Sequence, residues 1–437
     1  MAQRHAQPGE RPAVAFRFST QRGGDARLYV LPGLKEATWQ FHVPGLIVQQ
    51  VIGFAHDADE IYLVSARGDL VGLDLGTGRS EIIDSTIVAA ALGPTGTLHF
   101  VRGDGSVGAI GYRTVTIWPA KLDSAPARSW GGTGDRLVTL ESDAKTRELV
   151  ALSPSAPPVR QRVPAGALTV SPWGDLAVVA VDSGMVVLDP ADAELARFHP
   201  LTARPDAVAF SPSEYEIFVA LPSGTLLGLD RYSRSLEDAT QVSLPGRARA
   251  LRVDPLGRVL LVRPAAGDST WLVDLATHEV LGTVPGAWRD DLPTVAPDGT
   301  VLTAEGADVV AYSADSLTRE GRVEGGAKDR WLTAAWDPRR PALQLAADSS
   351  AATKSTASGT EIYVQVSSTS NEAWAQGSAH DLRAAGLQAT VLAPSPGEDF
   401  YRVVLGPYPT REAADAIGRK LGRPYWIFTR EGQDQPQ

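Results

Sequence analysis

The residues best suited to chemistry lie near the end of the chain, in two short alternating segments. Tyr363, Gln365 and Ser367 alternate with Val364 and Val366, and Arg402, Val404 and Gly406 alternate with Val403 and Leu405. In strands, this alternation sends Val364, Val366, Val403 and Leu405 to one face and Tyr363, Gln365, Ser367, Arg402, Val404 and Gly406 to the other. A face with an amide, hydroxyls, an aromatic ring and a guanidinium can hydrogen-bond as both donor and acceptor and offer an aromatic surface. Between residues 361 and 431 there are eight Asp or Glu and seven Lys or Arg, a balance of −1, so recognition there has to be polar and geometric.

Other reactive patterns carry little. The chain has no cysteine, which removes disulfides, thiolate nucleophiles and cysteine zinc sites together. Its seven histidines are scattered, and no HExxH, GxSxG or GxxxxGK[ST] pattern occurs. Gly103-Asp104-Gly105-Ser106-Val107-Gly108 satisfies GxGxxG, but no helix follows it, so it reads as a hairpin and not a dinucleotide loop. His56, Asp57, Asp59 and Glu60 could suggest a metal, but they occupy a turn position where acids are common. No cofactor, metal or catalytic residue is expected.

The elements that carry these residues follow from a repeat. Short apolar strands lead into turns at Pro94, Pro172, Pro212, Pro255, Pro297 and Pro338, with degenerate copies near Asp57 and Thr133. The successive spacings are 37, 39, 39, 40, 43, 42 and 41 residues. A second apolar segment follows each turn, as in Gly68–Asp74, Gly184–Asp189, Gly224–Asp230 and Ser269–Asp274. Alternation and β-branched content with Gly, Pro and Asp punctuation indicate hairpins. A period near 40 with about four short strands per unit resembles a β-propeller blade, in the divergent YVTN or quinoprotein-like style rather than strict WD40. Segments Ala13–Phe18, Leu28–Leu31 and Thr38–Val43 lack an inner strand of their own. They are expected to complete the blade begun at Trp331–Asp337, closing the ring as a clasp with eight blades, seven being the alternative.

The chain is thus expected to be multidomain: an all-β propeller over 11–345, a flexible linker over 346–360, a small α+β domain over 361–431 and a disordered tail over 432–437. The linker AADSSAATKSTASGT is small and polar, without periodicity. The small domain reads βαββαβ, a ferredoxin-like split arrangement of four strands and two helices. Ser370 and Thr410 are expected helix caps, Gly386 a helix stop, and Trp374, Ser378, Leu382 and Ala385 an inward stripe. Ala413, Ala414, Ile417 and Leu421 form the inward face of the second helix.

Here the sequence resembles the SPOR (sporulation-related) family of peptidoglycan-binding domains. Tyr363-Val364-Gln365-Val366-Ser367-Ser368-Thr369-Ser370-Asn371 is similar to its YVQVGSFSN opening. Leu382–Gly386 resembles its LRAAG helix end, Tyr401–Tyr408 its YRVxVGPF strand and Thr410–Ala414 its second helix start. The resemblance implies binding of glycan strands on the open sheet face, by Tyr363, Gln365, Ser367, Ser368, Tyr401, Arg402, Val404, Gly406, Pro407 and Tyr408. Tyr363 and Tyr408 fit packing as well as contact. Ser367 and Thr369 replace the family's usual Gly and Phe, and Val404 stands where a polar or basic residue is common.

The resemblance implies a periplasmic or envelope-associated protein that tethers a propeller scaffold to the wall, at the division site in some relatives. A protein partner on the propeller is expected. The alternative is an envelope enzyme, hydrolase- or lactonase-like, with its site in the propeller axis; a third reading is a structural protein whose sheet face has lost its ligand. The net charge of −10 and pI near 5.3 argue against a broad nucleic-acid surface. No apolar run reaches eighteen residues, so no transmembrane segment is expected. The opening MAQRHAQPGERPAVAFRF lacks an apolar core for a secretory signal, so wall binding implies a leader upstream of residue 1.

Overall fold

The computed structural model describes residues 12–21, 26–41, 46–55, 59–111, 114–133, 135–142, 147–212, 215–232, 240–336, 360–384, 387–394, 400–408, 410–420 and 425–431. The chain divides into two compact units, Met1–Ala346 and Ala347–Gln437. Most of the expected linker and all of the expected tail lie outside the described residues, as do His56, Asp57 and Pro338.

The first unit is a β-propeller whose described residues form eight four-stranded antiparallel sheets. Seven are simple meanders. In one of them, Val48–Phe54 lies innermost, followed outward by Glu60–Ser65, Leu70–Asp74 and Ser80–Asp84. The second and third strands are apolar at nearly every position because each sheet is sandwiched between two others. Ile61 and Leu63 enter one core cluster with Phe16 and Phe18, while Tyr62 and Val64 enter the next with Phe100 and Ile110. Alternation therefore divides these middle strands between two cores, while outer strands such as Asp192–Pro200 are largely exposed.

The eighth sheet joins the two ends of the unit. Arg330–Ala335 is its inner strand, and Ala13–Phe18, Ala26–Val30 and Lys35–Phe41 follow outward. The register is antiparallel, with Val14 opposite Ala334 and Phe16 opposite Leu332. Ala13 and Ala15 pack toward Leu302 and Val309 on one side, and Val14 and Phe16 toward Ile61 and Leu63 on the other. The expected clasp is present. Arg17 Nε donates to Asp329 Oδ2 at 2.6 Å across it.

Arginines stitch neighbouring sheets. Arg258 donates to the carbonyls of Ala296 and Pro297 and, at 2.8 Å, to the buried Asp254. Arg252 donates to the carbonyls of Pro293 and Arg289 and lies over the Trp288 ring. The GxGxxG segment is a hairpin turn between Leu98–Arg102 and Ser106–Gly111. Gly105 adopts φ +80° there, and a Cβ on it would meet the Leu122 carbonyl oxygen at 2.1 Å, so this glycine serves a crowded turn.

The second unit is one four-stranded antiparallel sheet with two helices. Its strand order is Ala389–Leu392, Tyr401–Tyr408, Thr360–Thr369, Trp426–Glu431. Helix α1 spans Glu372–Ala384 and α2 spans Arg411–Lys420. The element order is the expected βαββαβ. Thr410 stands at the expected cap, its carbonyl accepting the Ala414 N–H. At α1 the corresponding residue is Asn371, whose carbonyl accepts the Ala375 N–H, one position later than the expected Ser370. Glu372 lies in the first turn of α1, where the helix dipole favours it. The core between helices and sheet holds Val364, Ala375, Ala379, Leu382, Val403, Leu405 and Ala414. Gly418 lets the Tyr425 ring lie against α2, where a Cβ would come within 2.3 Å, and the Tyr425 hydroxyl donates to Asp415. Gly386, Leu421 and the side chains of Trp374 and Ala413 lie outside the described residues. No helix among the described residues is long and apolar enough to cross a membrane.

Candidate functional site

The sheet of the second unit has one face under the helices and one without them, and the register decides which residue reaches which. Gln365 pairs with Val404 on one side and Trp426 on the other, and Tyr363 pairs with Phe428. Directly paired residues share a face. The face away from the helices therefore carries Tyr363, Gln365, Val404, Trp426 and Phe428. Val364, opposite Leu405 and Ile427, marks the helix face.

The ladder then slips. Gln365 opposes Val404, but Ser367 opposes Val403, so Val366 and Ser367 form a bulge. Strict alternation expects Ser367 on the open face. The bulge instead turns it to the helix face with Val403, where its Oγ is buried and makes no hydrogen bond among the described residues. Ser368 takes the open position, opposite Arg402, and is exposed. This is the first correction to the expected set.

Tyr401 and Tyr408 are the second. Tyr401 opposes Thr369 and Tyr408 opposes Ile362, and both pack against the helix-side core. The Tyr401 hydroxyl lies 3.2 Å from Glu372 Oε2, and that bond raises its pKa above the ordinary phenol range. Burial raises that of Tyr408. Val404 is on the open face as expected but fully buried, so its side chain offers a ligand no surface.

A second irregularity serves the open face. Pairing jumps from Ile362–Tyr408 to Val364–Leu405, leaving Gly406 and Pro407 together against Tyr363. Gly406 has φ +119°, a conformation open to glycine, and Pro407 is exposed.

The aromatic part of the face comes from the last strand, which alternation could have flagged through Trp426 and Phe428. Phe428 stacks on Tyr363 with ring centroids 5.8 Å apart and planes 24° apart. Arg402 Cζ lies 5.8 Å from the same ring centre, so the guanidinium is oriented by a cation–π contact across the sheet. Gln365, Arg402, Trp426 and Phe428 are all partly exposed. Together with Ser368 they present a carboxamide, a guanidinium, a hydroxyl and two aromatic rings on one surface. Such a surface can hydrogen-bond to acetamido and hydroxyl groups while aromatic faces meet sugar C–H edges.

Among the described residues, no group of three or more His, Cys, Asp or Glu could hold a metal ion.

Residues 358–423 match the family description of the SPOR domain. No curated protein matches the chain. Among solved structures, apo AztD from Citrobacter koseri is similar with a TM-score of 0.52 at 10% identity, covering 74% of this chain and 98% of its own. A second Citrobacter koseri AztD structure aligns with a TM-score of 0.52 at 12% identity, with the same coverage. The dihydro-heme d1 dehydrogenase NirN in complex with DHE aligns with a TM-score of 0.52 at 14% identity, covering 77% of each chain. These are β-propeller proteins, and at such identity the likeness is one of fold.

Proposed function

We propose, from the SPOR domain in the second unit, that the protein binds peptidoglycan glycan strands and holds its propeller at the cell wall as a scaffold for another protein. The observation that carries the wall-binding reading is the register of the sheet. It gathers Gln365, Ser368, Arg402, Trp426 and Phe428 on the face without helices, in the domain whose family resemblance implies glycan binding. The reading places the protein in the periplasm or envelope, with the division site as the place where glycan stripped of stem peptides would concentrate it.

The scaffold reading of the propeller has its own support. Trp173, Tyr215 and Leu256 stand in the turns that follow the inner strands of three successive sheets, each at least half exposed. Tyr232 is exposed beside them, its ring 5.9 Å from that of Tyr215. Arg231 lies over the Tyr232 ring and pairs with Asp175 of the Trp173 turn, linking two sheets under the aromatic rim. Exposed Trp and Tyr are among the residue types that dominate protein interfaces. A rim of this kind favours a protein partner over an enzyme site in the axis.

The test is co-sedimentation of the full chain with purified sacculi, intact and amidase-treated. Stronger pelleting with the treated wall, lost in Gln365→Ala/Arg402→Ala, supports the reading. Equal pelleting of wild type and double variant would remove the sheet face as the binding site.

A further inference from the structure

The propeller contains a cavity that the glycan reading does not use. It lies where the sheet beginning at Val48 meets the sheet Ile87–Lys121, beside the starts of their inner strands, and has a volume of about 520 Å³. It is a hollow open to solvent, and its volume falls within the range of about 300–1,000 Å³ typical of small-molecule sites. Gln49, Gln50, Arg67 and Thr86 supply its polar lining, and Val64 and Val88 part of its apolar wall.

Three observations point to the chemistry of its occupant. No acidic side chain lines the cavity among the described residues. The nearby carboxylates are already engaged: Asp69 accepts the Ser65 hydroxyl, Asp84 takes both arms of Arg102, and Asp104 accepts the Ser106 hydroxyl. Among the described residues the side chains of Arg67, Gln49, Gln50 and Thr86 make no hydrogen bond or ion pair, and all four residues are exposed at the cavity.

The cavity's corner is also fixed in advance. Thr86 holds φ +60°, an uncommon conformation for a β-branched residue. Its carbonyl accepts the Gly103 N–H at 2.7 Å, and the next residue, Ile87, donates its N–H to the Gly68 carbonyl at 2.8 Å. Unusual backbone held this firmly tends to mark binding sites.

We propose that this cavity binds a small molecule carrying a single carboxylate and at least one amide, of the short acyl-peptide class. One guanidinium matches one carboxylate, which it can hold through two parallel bonds. A phosphate dianion would leave a charge without a counterpart. The two carboxamides each offer a donor and an acceptor, as a peptide group requires. Val64 and Val88 provide methyl surface for small side chains.

The probes are N-acetyl-alanyl-alanine, its C-terminal amide and methyl phosphate, titrated calorimetrically into the full chain. Saturable binding of the carboxylate is expected. Loss of a charge-assisted bond in Arg67→Gln should weaken it about tenfold or more. The amide probe should bind wild type as weakly as the carboxylate binds that variant. Gln50→Ala should weaken both peptide probes alike, and Arg402→Ala should leave all three unchanged. Arg67 is exposed, so its substitution leaves the fold intact, as an unchanged melting curve would verify. The proposal is overturned if no probe binds saturably, if Arg67→Gln binds the carboxylate as wild type does, or if methyl phosphate binds more tightly than the carboxylate.

Discussion

The Arg402 guanidinium lies 5.8 Å from the centre of the Phe428 ring, and that ring is stacked on Tyr363. The cation and the aromatic surface are therefore arranged before any ligand arrives, across three adjacent strands. Phe428→Leu keeps the apolar bulk and removes the π face. A cation–π contact at a partly exposed site is worth about 0.5–1 kcal/mol. Together with the lost aromatic contact to sugar, sacculus binding should fall about three- to tenfold in a co-sedimentation titration, with the far-ultraviolet spectrum unchanged. Wild-type binding in this variant would show that the ring plays no part in recognition.

Ser367 makes the opposite prediction. Its hydroxyl is buried on the helix side of the sheet without a hydrogen bond among the described residues. A buried, unpaired hydroxyl costs about 1–3 kcal/mol. Ser367→Ala should therefore be neutral or stabilising by about 1 kcal/mol in denaturant unfolding, and should leave sacculus binding intact. Ser368→Ala, one residue on, should weaken binding without affecting stability.

These two serines mark where the sequence stops being legible. The βαββαβ order, the helix α2 cap at Thr410 and the burial of Val364, Val403 and Leu405 all follow from period and punctuation. The closing of the ring also follows, because Ala13–Phe18 and the strands after it have no inner neighbour of their own. The slip at Val366–Ser367 does not follow. Inserting one residue into a ladder inverts every later face, and an apolar–polar alternation looks the same on either side of it. Tyr408 fits packing and contact alike, and Tyr401, expected at the ligand, packs on the helix-side core for a related reason: an aromatic ring with a hydroxyl suits a core edge and a ligand equally well. Alternation puts Trp426 and Phe428 on one face of the last strand, but it is the strand order, placing that strand beside Thr360–Thr369, that brings them to the site.

In the propeller, Asp254 is 1% exposed and receives Arg258 Nε at 2.8 Å, while the same guanidinium reaches two carbonyls of the next sheet. Arg258→Ala removes three charge-assisted bonds and, among the described residues, leaves the carboxylate with the Leu256 and Arg258 backbone N–H groups, each at 3.2 Å. The loss should be about 2–3 kcal/mol, less than a fully buried pair would give because Arg258 is partly exposed. Arg258→Ala/Asp254→Asn should recover part of it, and thermal melts of the two variants would show the difference.

Alkaline stability depends on Tyr312. Burial first, then its hydrogen bond to Glu305, raises its pKa from 10.0 to about 12. Because the folded value lies above the unfolded one, the protonated phenol stabilises the fold fully below about pH 10. That contribution is lost as pH rises through 12. Two units correspond to about 2–3 kcal/mol. Between these pH values the melting temperature of wild type should fall more steeply than that of Tyr312→Phe. Parallel curves would show that the phenol ionises alike in both states.

The clasp has a consequence for biosynthesis. Ala13–Phe18 emerges before the other strands of its sheet, yet its inner neighbour Arg330–Ala335 follows more than three hundred positions later. At roughly 5–20 residues per second, that strand waits on the order of tens of seconds. During that time Val14 and Phe16 are apolar residues on an unpaired edge, a surface open to aggregation. The ring cannot close on the ribosome until nearly all of the first unit has been made, so its last sheet is completed by its oldest and its youngest strands together.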